Sequence, residues 1–360
     1  MRWIRDYALA IRHSPGGHPL KLPWATLQVM RAKLGYRIGP FHFSLFGLSR
    51  VPVAKWHEYI VMGPSFDARR NALSPNAIRG VVDNKILFYE HCVHAGLPAI
   101  PVICSIGRGH AGPDSAVEDV DDMERLAALL EAAPSEIFAK PVSGAHGENV
   151  FRVVRSGNSF EFGGRTGSVA DLFDRLQQED VGRGGFILQP QVHPHAEILQ
   201  WSSSHGLPTV RLVTVMRPEG PEILFACLRI PVGANVTDNF GTGTNGNLVA
   251  GIDIATGMLM RAYGSSRRDW PVIVEFARHP DTGCRFAGAS MPYWQEIADV
   301  ALRGQNSLPR LKTVGWDIAV TTSGVLLVEL NSNYGVYSLQ VAHQRGLKTE
   351  LASKLGISLD

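Results

Sequence analysis

Apolar residues between Glu136 and about His195 recur in short bursts broken by turn residues: 137–141, 149–154, 160–164 and 185–192. Runs of this length bounded by Gly, Asn and Ser read as strands, and Ser168 is placed to cap a helix over 168–178. A second series, 209–216, 222–230, 247–253, 313–320 and 325–331, predicts further strands, with helices over Pro292–Arg303 and Leu339–Leu355. Upstream, residues 83–104 read as a helix, a turn at Gly96 and a strand. The acidic run 118–122 is placed to open a helix over Met123–Ala132, where carboxylates complement the helix dipole. The first 80 residues carry a helical pattern from Trp24 to Leu34 and then several Gly/Pro breaks. Their aromatic residues Trp3, Trp24, Trp56, Phe41, Phe43 and Phe46 are expected to form the core of a helical cap. The fold class is α+β, in four segments: a mainly helical region (1–80), a connecting region (81–135) and two α+β lobes (136–204 and 205–360).

Composition narrows the function. A chain of 360 residues at 45% hydrophobic and 19% charged buries a large core without disulfides. Its net charge of +2, from 35 basic and 33 acidic residues, gives no basic block of the kind that nucleic-acid or lipid-surface binding usually shows, and small-molecule chemistry is expected. Cys92, Cys104, Cys227 and Cys284 lack metal spacing and read as buried or incidental thiols in a reducing compartment. No apolar stretch resembles a signal peptide or a membrane span, so a cytoplasmic location is expected and the sequon at Asn235 is read as idle.

Candidate chemistry concentrates near the C-terminus. The strands 313–320 and 325–331 flank Thr322, Ser323 and Gly324 and form a hairpin. Side chains alternate along a strand, so Glu329 and Asn331 share a face, and a three-residue loop would set Asp317 opposite Glu329. Three oxygen donors with no soft ligand suit Mg²⁺, which takes a few protein oxygens plus phosphate and water.

Two further features point to a nucleotide. Lys140 ends a strand and precedes the small-residue loop Ser143, Gly144, Ala145, His146 and Gly147, whose backbone N–H groups can approach phosphate oxygens. This loop is expected to act as a mobile lid. The strand running through Gln189, Pro190, Gln191 and Val192 offers amides and backbone to an adenine edge, with Glu197 beyond it for ribose hydroxyls. The G-x-G-x-x-G spelling at 241–246 precedes a strand instead of a helix, which excludes a dinucleotide fingerprint. It reads instead as an active-site loop beside Arg229.

In this order the three features resemble the ATP-grasp superfamily over roughly residues 83–335. The wording of 83–98, 209–215, 227–233 and 315–321 is most similar to its sugar-transfer-associated members, which are related to α-L-glutamate ligases. The resemblance implies two lobes clamping ATP. Lys85 and Lys140 would contact its phosphates, 143–147 would cover them, Gln189 to Val192 with Glu197 would hold the nucleoside, and Asp317, Glu329 and Asn331 would hold one or two Mg²⁺ ions, with Mn²⁺ as a substitute. Arg211 and Arg229 resemble arginines directed at the γ-phosphate or the acyl carboxylate. Gly315 departs from the D-alanine ligases, which carry an arginine there. The implied reaction joins a small-molecule carboxylate to an amine through an acyl phosphate, releasing ADP. The alternatives are a phosphotransferase on the same site and a non-catalytic nucleotide-binding protein. A homo-oligomer is compatible with either.

Overall fold

The computed structural model describes residues 2–13, 22–73, 80–82, 84–107, 115–144, 149–178, 184–203 and 205–359. Seven strands form a first sheet: β1 (Cys104–Ile106), β2 (Asp119–Val120), β3 (Glu136–Pro141), β4 (Phe151–Ser156), β5 (Ser159–Phe162), β6 (Arg165–Gly167) and β7 (Phe186–Pro190), in the order β2-β1-β7-β3-β4-β5-β6. Seven more form the second: β8 (Thr209–Arg217), β9 (Gly220–Ile230), β10 (Leu248–Ile252), β11 (Leu259–Ser265), β12 (Ile273–Phe276), β13 (Thr313–Thr321) and β14 (Gly324–Asn331). Their order is β12-β11-β10-β9-β8-β13-β14, and every pairing in this sheet is antiparallel. The first sheet draws β1 and β2 from the segment before residue 136. Asp119 of the acidic run therefore belongs to a strand, while Asp122 caps the helix Met123–Ala132 by accepting from the Arg125 N–H at 2.7 Å.

Period-two alternation gives the second sheet two apolar faces. Val210, Leu212, Ala226, Leu228, Trp316 and Ile318 pack with the helix Trp294–Ser307 on one side. Val213, Val215, Phe225 and Cys227 face the N-terminal region and the C-terminal helices on the other. The helix expected over Leu339–Leu355 is two helices, Tyr337–His343 and Lys348–Leu355. Between them Gly346 lies so close to Glu58 that a Cβ would sit 2.3 Å from its carbonyl carbon, so the break is also a packing point.

The N-terminal region has no core of its own. Phe43, Leu48 and Trp56 are fully buried, but in a cluster shared with the second sheet and the two C-terminal helices. Gln340 ties the two together: its side chain accepts from the Ile60 N–H at 2.8 Å and donates to the Ile60 carbonyl at 3.0 Å. Contrary to expectation, Trp3 and Trp24 are not part of this core and stand exposed. The lobes are joined by backbone hydrogen bonds from Ile100 to Leu327, from Leu327 to Pro98 and from His195 to Val320. Among the described residues no helix is long and apolar enough to cross a membrane.

Candidate active site

A cavity of about 890 Å³ opens between the two sheets. Its floor follows from strand register. Across the second sheet Glu329 pairs with Asp317, Asp317 with Arg211, and Arg211 with Cys227, while Arg229 lies opposite Thr209. All the charged members point away from the helix Trp294–Ser307, so one face of the sheet presents a row of two carboxylates and two guanidinium groups.

The hairpin that carries this row differs from expectation in its turn. Thr321 pairs with Gly324, which leaves a two-residue turn, and a bulge at Val328 between the Asp317 and Ile318 pairings then restores Asp317 opposite Glu329. Gly324 adopts φ +106° at the end of that turn.

Asp317 is clamped. Its carboxylate accepts from Arg211 Nε at 2.5 Å and Nη2 at 3.1 Å, and it pairs with Arg229 Nη2 at 2.7 Å. Arg229 also pairs with Asp238 at 3.0 Å and donates to Thr209 Oγ1 at 2.7 Å, and Thr209 in turn donates to Asp238. Burial opposes the charge on Asp317, but the two arginines hold its carboxyl below the ordinary range. Burial is also the largest influence on Arg229, yet Asp238 and Asp317 together offset it and raise its pKa. Asp238 itself is raised by burial despite Arg229. Cys227, in the same row, has its thiol pushed up to about 12 by burial and behaves as an apolar side chain.

Asp238 carries no signal in the sequence pattern; its loop does. Asn247 is fully buried, donates to the carbonyls of Thr237 and Asn239 at 2.8 and 2.9 Å, and accepts from the Val232 N–H at 3.1 Å. Asparagines thus fold the segment 235–247 over the arginines, and β10 follows it, as the sequence requires.

The opposite wall is less tightly bonded. Lys140 on β3 lies across from Ile187 of β7, half-buried, on the face that looks into the cavity. Burial, together with the nearby charge of Lys85, lowers its pKa to about 8, against the attraction of Glu329 and Asp238. Among the described residues its ammonium has no hydrogen-bond or ion-pair partner. Lys85 opens the helix Lys85–His94, capped by Asn84, and donates to the Gly144 carbonyl at 3.3 Å. Ser143 and Gly144 line the cavity beside it; Ala145, His146 and Gly147, and with them most of the expected lid, lie outside the described residues. Gln189, Pro190, Gln191 and Val192 also line the cavity. Both amides have other partners: Gln189 donates to the Ile100 carbonyl at 3.1 Å, and Gln191 accepts from Arg152 Nε at 2.8 Å. Glu197 does not line the cavity. It sits exposed on the helix Ala196–Leu199, away from the residues with which the sequence groups it.

The carboxylate of Glu329 is the other unpartnered charge. It makes no hydrogen bond or ion pair among the described residues, lines the cavity, and has its pKa raised by burial and by the charge of Asp317. Asn331, two residues along, donates to Asp317 at 3.5 Å, and its side-chain oxygen has no partner among the described residues. Gly315, paired with Asn331, is a close-approach position, since a Cβ there would lie 2.5 Å from that of Tyr334. An arginine cannot occupy it without displacing Tyr334, whose carbonyl accepts from Arg70 at 2.6 Å.

The sequence matches one family profile over most of its length. The profile is that of sugar-transfer associated ATP-grasp, and it covers residues 70–354. The chain belongs to that family. Among solved structures, this ATP-grasp chain is similar to an N5-carboxyaminoimidazole ribonucleotide synthetase in complex with ADP, at 11% identity and TM-score 0.44 over 80% of this chain and 55% of that one. The same enzyme from Thermotoga maritima matches at 11% identity and TM-score 0.40, over 80% and 53%. A RimK domain ATP-grasp protein from Sphaerobacter thermophilus matches at 12% identity and TM-score 0.37, over 79% and 70%. The chain thus spans about half the length of the synthetases it resembles. No curated protein matches its sequence.

Proposed function

We propose that this ATP-grasp protein is a cytoplasmic, ADP-forming carboxylate–amine ligase. The observation that carries the reading is the presence, in one cavity, of a lysine and a carboxylate that have no hydrogen-bond or ion-pair partner among the described residues. Lys140 supplies positive charge with no hydrogen-bond or ion-pair partner among the described residues, and Lys85, which donates to the Gly144 carbonyl, adds a second cation beside it, as suits a polyphosphate. Gln189 to Val192 would form the edge for the base, through backbone groups and the ends of the two side-chain amides that hydrogen bonds among the described residues leave free: the Gln189 oxygen and the Gln191 nitrogen. Ser143 and Gly144, with the segment that follows them, would cover the phosphates.

The donor set fits Mg²⁺. Among the described residues no three His, Cys, Asp or Glu side chains cluster to hold a metal, so an ion here would share protein, phosphate and water oxygens, which suits Mg²⁺. Glu329 and Asn331 have free oxygens to offer, whereas Asp317 is engaged by two arginines and would serve mainly to fix them. Bound Mg²⁺ would neutralise charge on the phosphates. A substrate carboxylate oxygen attacks the γ-phosphorus and ADP leaves. The amine then attacks the acyl carbon, phosphate departs and the amine gives up a proton. Arg211 and Arg229, held rigid by Asp317 and Asp238, would stabilise the charge of the transferring phosphoryl group without reorganising. Of the histidines among the described residues, His193 and His205 line the cavity and are the candidates to receive the proton.

The test is the fate of ATP. Incubation with panels of sugar acids and amino acids, with and without amines, should give ADP, phosphate and a new amide by phosphorus NMR and mass spectrometry, and Glu329→Gln should abolish them. ADP with a stable phosphorylated product and no need for amine would make the protein a kinase. Stoichiometric AMP and pyrophosphate would overturn the mechanism.

A further inference from the structure

Fifteen large apolar side chains stand exposed among the described residues, and seven of them fall within residues 3–34. That concentration belongs to the helices Arg2–His13 and Leu22–Tyr36, which pack against each other. The second helix is built inside out. It buries Ala25, Val29 and Ala32 and turns Trp24, Leu27 and Leu34 to solvent, at 50%, 65% and 77% exposure. At 100° per residue these three and Met30 form one stripe, on the side opposite the buried small residues. The first helix adds Trp3 and Ile4, at 66% and 55% exposure. A surface helix of a water-soluble protein places its large apolar residues inward, so a stripe of this kind marks a face that is covered in use.

Charge says what covers it. Residues 1–37 hold seven Lys/Arg and one acidic residue, a net +6, while the remainder of the chain carries −4. Contrary to the expectation drawn from the near-neutral total, positive charge is concentrated in the first 37 residues. Arg5, Arg12, Arg31, Lys33 and Arg37 are all exposed, and none has a carboxylate partner among the described residues. A second copy docking on this face by two-fold symmetry would set these cations against themselves, with only half-buried Asp6 to offset them. Large apolar and aromatic side chains fringed by unpaired arginine and lysine are instead complementary to a bilayer surface with anionic headgroups: the apolar stripe enters the acyl boundary, tryptophan sits at headgroup level and the cations meet phosphates.

We infer that the two N-terminal helices lie in the plane of an anionic membrane surface and hold this protein on it peripherally. This assignment is independent of the chemistry of the cavity. The full chain should co-sediment with vesicles of phosphatidylcholine plus phosphatidylglycerol, far less with phosphatidylcholine alone, and less as salt is raised. Tryptophan emission should shift to the blue on binding. Substituting Trp24→Ser, Leu27→Ser and Leu34→Ser together should weaken partitioning on the order of 100-fold without lowering the unfolding temperature, because none of the three is buried. Arg31→Glu with Lys33→Glu, which leaves the apolar stripe intact, should weaken it by about tenfold or more. A folded wild type that ignores both kinds of vesicle would leave the face to an acidic protein partner and overturn the assignment. So would binding that survives both sets of substitutions, or a dimer that the serine variant splits without any vesicle binding.

Discussion

The two walls of the cavity handle charge in opposite ways. On the second lobe Arg211, Arg229 and Asp317 of the sheet and Asp238 of the loop after β9 neutralise one another through ion pairs of 2.5–3.0 Å, while Glu329 on β14 has no ion pair among the described residues. On the first, Lys140 faces the same space with no partner among the described residues, and its pKa falls to about 8. A buried charge network that is satisfied internally fixes geometry; a buried charge that is not satisfied stores a demand for a ligand. The arginine–aspartate network is therefore preorganised and Lys140 is poised, and the two should answer mutation with opposite signs in stability.

The sharpest way to break that contrast is Asp317→Ala. It leaves two buried guanidinium groups without their shared carboxylate and should destabilise the protein by about 3–5 kcal/mol, read from urea unfolding. If stability is unchanged, the network is not the rigid element described. Lys140→Met should do the reverse. Removing a cation whose charge is disfavoured by burial should raise stability at pH 7 by about 1–2 kcal/mol while weakening Mg·ATP binding by about tenfold or more. The sign follows from linkage. With a native pKa near 8 and an unfolded value near 10.5, the burial cost is fully present below pH 8 and is relieved as pH rises between the two values. Wild-type stability should therefore gain from this residue in that window, and nucleotide affinity should fall above about pH 8, by up to about tenfold per unit. Calorimetry across that range, with Lys140→Met as the control, checks both slopes. The smallest effect is expected from Glu197→Ala, which touches neither wall: nucleotide affinity should move by less than about 0.5 kcal/mol. A larger loss would return Glu197 to the ribose.

The preorganised wall was the more legible in sequence. Alternation along strands is enough to put Glu329 and Asn331 on one face, and the hydrophobic pattern of 209–216, 222–230 and 313–320 delivers Arg211, Arg229 and Asp317 to the same sheet. The register was reached by a different route from the one the sequence suggests. A shorter turn and a bulge at Val328 replace a three-residue loop, and bulges leave no reliable signature in residue type. Asp238 is invisible to periodicity because it stands in a loop organised by side-chain amides; four asparagines within 235–247 are the available sign. The strands β11 and β12 escape the same reasoning because Met260, Arg261 and Glu275 are exposed and Gly264 interrupts the run. Trp3 and Trp24 read as core by composition, since apolar residue types alone do not reveal whether a face is covered by the same chain.

The hydrogen bonds between Ile60 and Gln340 span 280 positions of sequence. During synthesis Ile60 is therefore made some 280 residues before the side chain that pairs with it. Phe43, Leu48 and Trp56 share their core with Leu339, Leu347 and Leu351, so their full burial depends on contacts of long sequence separation, which are the slow ones to close.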